Sequence, residues 1–360
     1  MRLGLFSILT FVIAHSVPAQ SGRIKPAESP TRIARPPVMR PSVIYLPAEI
    51  PSGEKSPSAK PSTATPSEKD SDEVINVESA LVPIPVSVVD SAGRSVANLK
   101  LGDFELKIDG QPAEIGELSR SETPIRLVML FDNSSSVAVA REFEKNAAVK
   151  FFRRVLRPDR DLAALFSIAS EAVLEQKFTS EISFLTRAIE MFPPPAGATK
   201  LLDGVVLAAE YLSETATGRR VIVIVSDGED TLSDSSLETV NKWLQASNCQ
   251  VFVVKTTDFE NYKRTGVRSG NANLRQLAAE RRMLDITGQT GGAVYSPIDE
   301  RELDDAFRQI SAELAQQYVL SYYPENDSAN RGAFRQISLA VKGRQNLTIR
   351  TRKGYYIPKR

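Results

Sequence analysis

Five oxygen-bearing side chains, at three places remote from one another along the 360-residue chain, form a set that can hold a hard cation. The first place is Asp132-Asn133-Ser134-Ser135-Ser136, directly after the apolar run RLVMLF. The second is Gly197-Ala198-Thr199, and the third is Ser226-Asp227-Gly228, directly after RRVIVIV. Asp132, Ser134, Ser136, Thr199 and Asp227 offer two carboxylates and three hydroxyls, an all-oxygen set. Mg²⁺ and Ca²⁺ take oxygen ligands, and Mg²⁺ takes few carboxylates and keeps waters. Zinc prefers His or Cys, whereas this chain has one His, His15 in an N-terminal apolar segment, and one Cys, Cys249 in the strand-like run CQVFVV. Mg²⁺ is therefore the expected ion, with Mn²⁺ and Ca²⁺ as alternatives. Neutral hydroxyl ligands leave residual positive charge on the ion, and a vacant coordination position then favours an incoming carboxylate. Taken singly, each motif is ordinary: DNSSS reads as a turn with a helix cap, SDGED as a solvated turn, GAT as a cap. The signal lies in their combination at the ends of strands.

The elements that must position these groups alternate between strand and helix. RLVMLFD and RRVIVIVS are continuous apolar runs, the pattern of strands buried on both faces. Helices are expected near 137–155, 181–191, 201–212, 235–247, 273–287 and 300–316. Further strands are expected at DLAALFSIA, AVLEQKF, CQVFVVKT and AVYSP. This order predicts an α/β fold, a doubly wound, mostly parallel sheet with helices on both faces. The short step from DLAALF to AVLEQKF predicts an antiparallel hairpin at the sheet edge. In such sheets ligands bind at the carboxyl ends of the strands, near the topological switch point, and the two aspartates fall at strand ends. The polar stretch Asp258–Asn273 reads as a long loop, either a specificity loop or an insertion. Trp243, in NKWLQ, reads as a core anchor, and Cys249 as a small buried hydrophobe.

Both flanks of this region are strand-rich. LVPIPVSVVDSAG, DFELKIDG and AEIGELS precede it, and QYVLSYYP, FRQISLAV and LTIRTRKGYYI follow it. The Asp-Gly after DFELKI is a hairpin signal. About 45 residues of strand are few for an independent core, so the C-terminal strands are expected to complete the N-terminal sheet as a small all-β domain. Before these strands, Pro recurs at 26, 30, 36, 37, 41, 47, 51, 57, 61 and 66 with few aromatics, the composition of an extended linker. Arg2, the apolar stretch LGLFSILTFVIA and the small residues Val17 and Ala19 read as a secretory signal cleaved after Ala19. That run is shorter than the roughly 18 to 20 residues a membrane span needs. The expected organisation is signal peptide 1–19, linker 20–72, β-rich element 73–120, central α/β domain 121–323 and C-terminal strands 324–360. The mature chain is expected to be secreted or periplasmic, with no membrane span.

Composition narrows the function. Forty-five basic residues against 44 acidic ones argue against a nucleic-acid binder. A mature chain without histidine excludes His-dependent catalysis, and neither a G-x-S-x-G elbow nor a P-loop lysine motif occurs. No catalytic residue is assigned, and the chain is read as not an enzyme. Phosphoryl-transfer enzymes of the haloacid-dehalogenase type also place an Asp after the first strand, but with a second Asp two positions on, where this chain has Ser134.

The ordered set resembles the metal-ion-dependent adhesion site of von Willebrand factor type A (vWA) domains. That family's pattern is Asp-x-Ser-x-Ser after the first strand, a Thr in a later loop and an Asp after the fourth strand. Asp132, Ser134, Ser136, Thr199 in GATKLLDGV and Asp227 in VIVIVSDGED match all five positions. The resemblance covers about 123–323 and implies a Rossmann-like vWA fold. It further implies a divalent cation held by these residues and a protein partner that presents an Asp or Glu carboxylate. VSVVDSAGRSVANLKLGDFELKIDG, TGGAVYSPID and QYVLSYYP, with FRQISLAV and RTRKGYY, extend the likeness to exported vWA-related proteins of acidobacteria. The chain departs from many eukaryotic relatives in lacking paired cysteines around the domain, and its sequence shows no clear calcium site beside the main one. The alternative reading is a structural or assembly factor of the cell envelope with a non-essential metal site. The sequence is silent on oligomeric state.

Overall fold

The computed structural model describes residues 81–120, 123–215, 218–267, 273–324, 331–344 and 346–357. The expected secretory signal and Pro-rich linker lie outside the described residues.

Four strands open the described chain: β1 (Val82–Val89), β2 (Phe104–Ile108), β3 (Gln111–Ala113) and β4 (Glu117–Arg120). Phe104, Leu106 and Ile108 of β2 point inward and alternate with half-buried residues, as the period of a half-buried strand requires. Asp109 and Gly110, both at positive φ (50° and 81°), make the two-residue turn from β2 to β3.

The central domain begins with β5 (Ile125–Asp132). A 3-10 turn (Ser135–Val139) leads to α1 (Arg141–Val155), then β6 (Leu162–Ile168), β7 (Ala172–Thr179), α2 (Ile182–Glu190) and α3 (Leu201–Ser213). There follow β8 (Arg219–Ser226), α4 (Leu237–Ala246), β9 (Cys249–Lys255), α5 (Thr257–Thr265), α6 (Leu274–Thr290), β10 (Val294–Tyr295) and α7 (Glu300–Gln316). The sheet order is β10-β9-β8-β5-β6-β7. All pairings are parallel except β6 with β7, the edge hairpin. Helices cover both faces. Leu127, Met129 and Phe131 of β5 pack towards α1, α2 and α7, while Val128 and Leu130 pack towards α3, α4 and α6. The chain winds outward from β5 to β6 and then restarts on the other side of β5 with β8. The winding therefore reverses between β5 and β8, and Asp132 and Ser226 end those two strands.

The remaining strands are β11 (Tyr318–Tyr322), β12 (Phe334–Val341), β13 (Thr348–Thr351) and β14 (Gly354–Tyr356). They join the N-terminal strands in two four-stranded sheets, β13-β1-β11-β4 and β14-β12-β2-β3, rather than in one. The two sheets share one core, in which Ile84, Val86, Leu106, Tyr318, Leu320, Ile337 and Tyr355 are buried. Two sheets form because β2 pairs with β12 while β1 lies between β11 and β13, so each sheet draws strands from both ends of the described chain. Gln317, between α7 and β11, is buried at the junction with the central sheet. Its Nε2 donates to Ser87 Oγ at 3.1 Å and Gln250 Oε1 at 2.9 Å, and its Oε1 accepts from Arg219 at 2.9 Å.

Four local expectations need correction. The stretch 258–273 is not a single loop: Thr257–Thr265 is α5, closed by Gly266 at φ 71°. Phe259 is fully buried and anchors it, which outweighs the polarity of its neighbours. The helix expected from 137 is divided, because the 3-10 turn ends at Val139 and α1 starts at Arg141. α6 runs past the expected end at 287 to Thr290, where Gly291 (φ 78°) supplies the left-handed cap. Trp243 is 39% exposed on α4 rather than a core anchor, that role falling to Val240 and Leu244 on the inner face. Cys249 is buried at the start of β9, and burial pushes its thiol up to about 12.

Candidate metal centre

Asp132 ends β5 and Ser226 ends β8, adjacent parallel strands, so two chain segments 94 residues apart meet at the crest of the sheet. Each of the two strand-end loops folds back on its own aspartate. Asp132 Oδ1 accepts from Ser134 N–H at 2.9 Å, and Asp227 Oδ1 accepts from Glu229 N–H at 2.9 Å. Both are Asx turns, in which a carboxylate replaces a backbone carbonyl and orders the next two residues. Asp132 Oδ2 accepts from Ser226 Oγ at 2.5 Å. Ser226 in turn accepts from Gly228 N–H at 2.9 Å. Both Asp132 oxygens are thus fixed in direction.

The middle loop is fastened on both sides. Asn133 N–H donates to Ile168 O at 2.7 Å, Ala196 N–H to Asn133 O at 3.0 Å and Ser135 N–H to Gly197 O at 3.2 Å, which ties 132–136 to 196–197. Gly197 needs its positive φ (80°), and a Cβ there would stand 2.5 Å from Ser170 Oγ. Thr199 N–H donates to Thr231 Oγ1 at 3.0 Å, and Thr199 O accepts from Thr231 N–H at 2.9 Å and Leu232 N–H at 3.1 Å. Asp230, in the same loop after β8, accepts from Leu201 N–H at 2.9 Å and Leu202 N–H at 3.2 Å, capping the first turn of α3. The three loops are therefore one hydrogen-bonded unit. Asp132, Ser134, Thr199 and Asp227 are buried in it, and Ser136 is exposed at its mouth.

The electrostatics follow from this packing. Burial, then the nearby Asp227 carboxylate, push Asp132 above the usual carboxylate range, against the opposing hydrogen bonds from Ser134 and Ser226. Two carboxylates pressed together out of water are costly unless a proton or a cation is shared between them. Ser134 Oγ and Ser136 Oγ lie 3.0 Å apart, and two adjacent ligands of an octahedral ion at about 2.1 Å are separated by roughly 3.0 Å. The donor set and its charge both fit a hard divalent cation.

Two partners of the site were not read from the sequence. Ser226 lies in the quoted Ser-Asp-Gly motif, but its reach to Asp132 depends on the pairing of β5 with β8. Asn133 accepts from Arg141 through Oδ1, and Arg141 also donates to Pro193 O at 2.7 Å, bracing the first loop. A polar residue between two apolar strand ends was the available signal for both.

The fold is a doubly wound α/β domain whose switch point carries two aspartates and a set of hydroxyls. Residues 127–229 match the model of the von Willebrand factor type A domain, and the chain carries a domain of that family. Among solved structures, it is similar to the PilB minor pilin from Streptococcus sanguinis, at 14% identity and a TM-score of 0.42, covering 54% of this chain and 62% of the pilin. It is also similar to the protein BatB from Bacteroides thetaiotaomicron, at 14% identity and a TM-score of 0.41, covering 53% of this chain and 99% of that one. A third likeness is to the vWF domain of the type V pili tip protein Mfa5 from Porphyromonas gingivalis, at 12% identity and a TM-score of 0.38, covering 52% of this chain and 94% of that one. The chain thus spans less than two thirds of the pilin's length. No curated protein matches it. Among the described residues, no helix is long and apolar enough to cross a membrane.

Proposed function

We propose that this chain is an exported, metal-dependent protein-binding module. Asp132, Ser134, Ser136, Thr199 and Asp227 hold a divalent cation, Mg²⁺ first, and a partner's Asp or Glu carboxylate completes its coordination. The observation that carries this reading is the pair of carboxylates at neighbouring strand ends, Asp132 and Asp227, beside two hydroxyls at octahedral spacing, with Ser136 open to solvent. When bound, the cation supplies a Lewis-acidic position for one more oxygen ligand. The protein's own groups do the rest: Ser226 and the Ser134 amide orient Asp132, and the loops joined through Asn133, Gly197 and Thr231 keep the hydroxyls in place. The N-terminal 19 residues act as the export signal, which places the mature chain in the periplasm or outside the cell.

Two measurements test this. Calorimetric titration of the purified chain with Mg²⁺, Mn²⁺ and Ca²⁺ reads uptake at the site, and absence of any uptake refutes the proposal. A pull-down from the native envelope with and without EDTA then reads the partner. Capture that is lost with EDTA and with Asp132→Ala supports a metal bridge, whereas capture indifferent to both leaves the module a metal-independent assembly factor.

A further inference from the structure

Two more carboxylates lie close enough to the Asp132–Asp227 pair to feel the charge of both aspartates. Glu144 is on the first turn of α1 and Glu260 on α5. The rings of Phe143 and Phe259 pack at 6.0 Å between centroids and bring the two helices together, so the residues that follow them share one space. Glu144 is 1% exposed, and its Oε1 has no hydrogen-bond partner. Thr256, fully buried where β9 passes into α5, donates from its hydroxyl to Glu260 Oε1 at 3.2 Å and also bears on the Glu144 carboxyl. The nearby cations, Arg141 acting on Glu144 and Arg264 on Glu260 through space, spend their hydrogen bonds elsewhere. Arg141 binds Asn133 Oδ1 and Pro193 O, and Arg264 binds Asn261 Oδ1 at 2.6 Å. Burial and neighbouring carboxylates push both glutamates up, first through desolvation and then, for Glu144, through Glu260, and for Glu260, through Asp227, against the Thr256 hydroxyl.

A buried carboxylate oxygen without a donor is costly. A single ion between Asp132 and Asp227 leaves Glu144 Oε1 without a ligand of its own. Among the described residues, no three Asp, Glu, Cys or His side chains converge so as to hold one ion, so a position here rests on two carboxylates and a hydroxyl. We propose that Glu144 and Glu260, with the hydroxyl of Thr256, form a second cation-binding position near the first, suited to Ca²⁺. Two carboxylates that can each bind through both oxygens, plus a hydroxyl, supply most of the six to eight oxygens that Ca²⁺ takes in flexible geometry. Mg²⁺ demands a near-octahedral shell and retains several waters, for which a position lined by buried Glu144 and Thr256 leaves less room. The inference stands beside the proposed function and does not depend on it, since it uses neither the serines nor Thr199.

The test is Ca²⁺ stoichiometry on the full chain, by titration calorimetry and by metal analysis after equilibrium dialysis. Wild type is expected to take up two ions. Glu144→Gln and Glu260→Gln are each expected to take up one, or to bind the second at least tenfold more weakly, while Asp227→Asn retains the Glu144 ion. Glu260 is the less buried of the two glutamates, so its variant serves if Glu144→Gln does not fold, as judged by circular dichroism. One ion in wild type that both glutamine variants retain overturns this proposal and leaves the Asp132 site standing. One ion lost in the glutamine variants but retained in Asp227→Asn supports this proposal and overturns the other. No Ca²⁺ uptake overturns it.

Discussion

Asp132 Oδ2 and Ser226 Oγ are joined by a 2.5 Å hydrogen bond across the boundary between β5 and β8, the two strands between which the winding of the sheet reverses. This contact converts a property of sheet topology into a fixed carboxylate direction. Were Asp132 to hold the proposed cation, Ser226 would orient that ligand without touching the ion. Ser226→Ala is therefore expected to keep the fold and to weaken divalent-cation binding by about 10- to 100-fold. Titration of the variant beside wild type, with thermal melts as the control for folding, checks this. An unchanged affinity would show that Asp132 needs no such support.

Cation binding should stabilise the chain by mass action. At a concentration one hundred times the dissociation constant the gain is about 2.7 kcal/mol, or roughly 5–10 °C in Tm for a domain of this size. Thermal melts with Mg²⁺, and again after EDTA, measure it. Asp227→Asn should abolish the Mg²⁺ increment, because it removes one of the two carboxylates of the proposed site.

The pH dependence of the metal-free protein should have an unusual sign. Asp132 is raised by burial and by Asp227, and Glu260 is pushed up to about 8, mainly by burial. A carboxyl raised in the folded state binds more protons folded than unfolded, so stability falls as pH rises from the ordinary carboxylate value towards the raised one. Metal-free protein should accordingly lose stability between about pH 4 and 8. Saturating Mg²⁺ should flatten or reverse the part of that slope due to Asp132, because the ion favours the ionised carboxylate. Chemical denaturation at several pH values, with and without the ion, reads both slopes.

Asp161 has the opposite behaviour. It is fully buried, yet hydrogen bonds from the Arg157 side chain and from the backbone N–H groups of Ile125 and Arg157 outweigh desolvation and hold it below the usual range. Its contribution is present above the unfolded value near 3.8 and is lost as pH falls through the lower folded value. Asp161→Ala leaves the Ile125 N–H, which now donates at 2.7 Å, without an acceptor. The expected cost is about 2–4 kcal/mol at neutral pH, measured by urea denaturation, with a smaller difference from wild type at pH 2 to 3.

Gly292 is a position where only glycine fits. A Cβ there would lie 1.7 Å from Val251 O, at the start of the pairing between β9 and β10. Gly292→Ala is expected to cost at least ~3 kcal/mol, the upper range for overpacking. Expression level and denaturation midpoint check this, with exposed Gly288→Ala, where a Cβ meets nothing within 4 Å, as the tolerated control.

Much of this architecture was legible in the sequence for identifiable reasons. β5 and β8 are unbroken apolar runs because both faces are covered by helices, and the Asp-Gly of the β2–β3 turn announces its positive φ values. α5 was hidden because one buried residue, Phe259, anchors a helix whose other side chains are mostly polar. Trp243 misled because aromatic size suggests a core, whereas the helix turns Val240 and Leu244 inward instead. The division of the flanking strands into two sheets was not legible, since strand order is set by pairing between segments over 200 residues apart.

The sequence by itself determined the chemistry on offer: all-oxygen ligands, aspartates immediately after buried strands, and a chain with one histidine and one cysteine. Local rules suffice for that, because a strand buried on both faces must end where the first polar residues begin. Only the tertiary structure decided which of those residues meet. It set β5 beside β8, aimed Asp132 through Ser226, and buried Glu144 within reach of Glu260 and the two aspartates. Proximity between distant segments is a product of sheet order and helix packing, and neither is written in the spacing of residues along one strand.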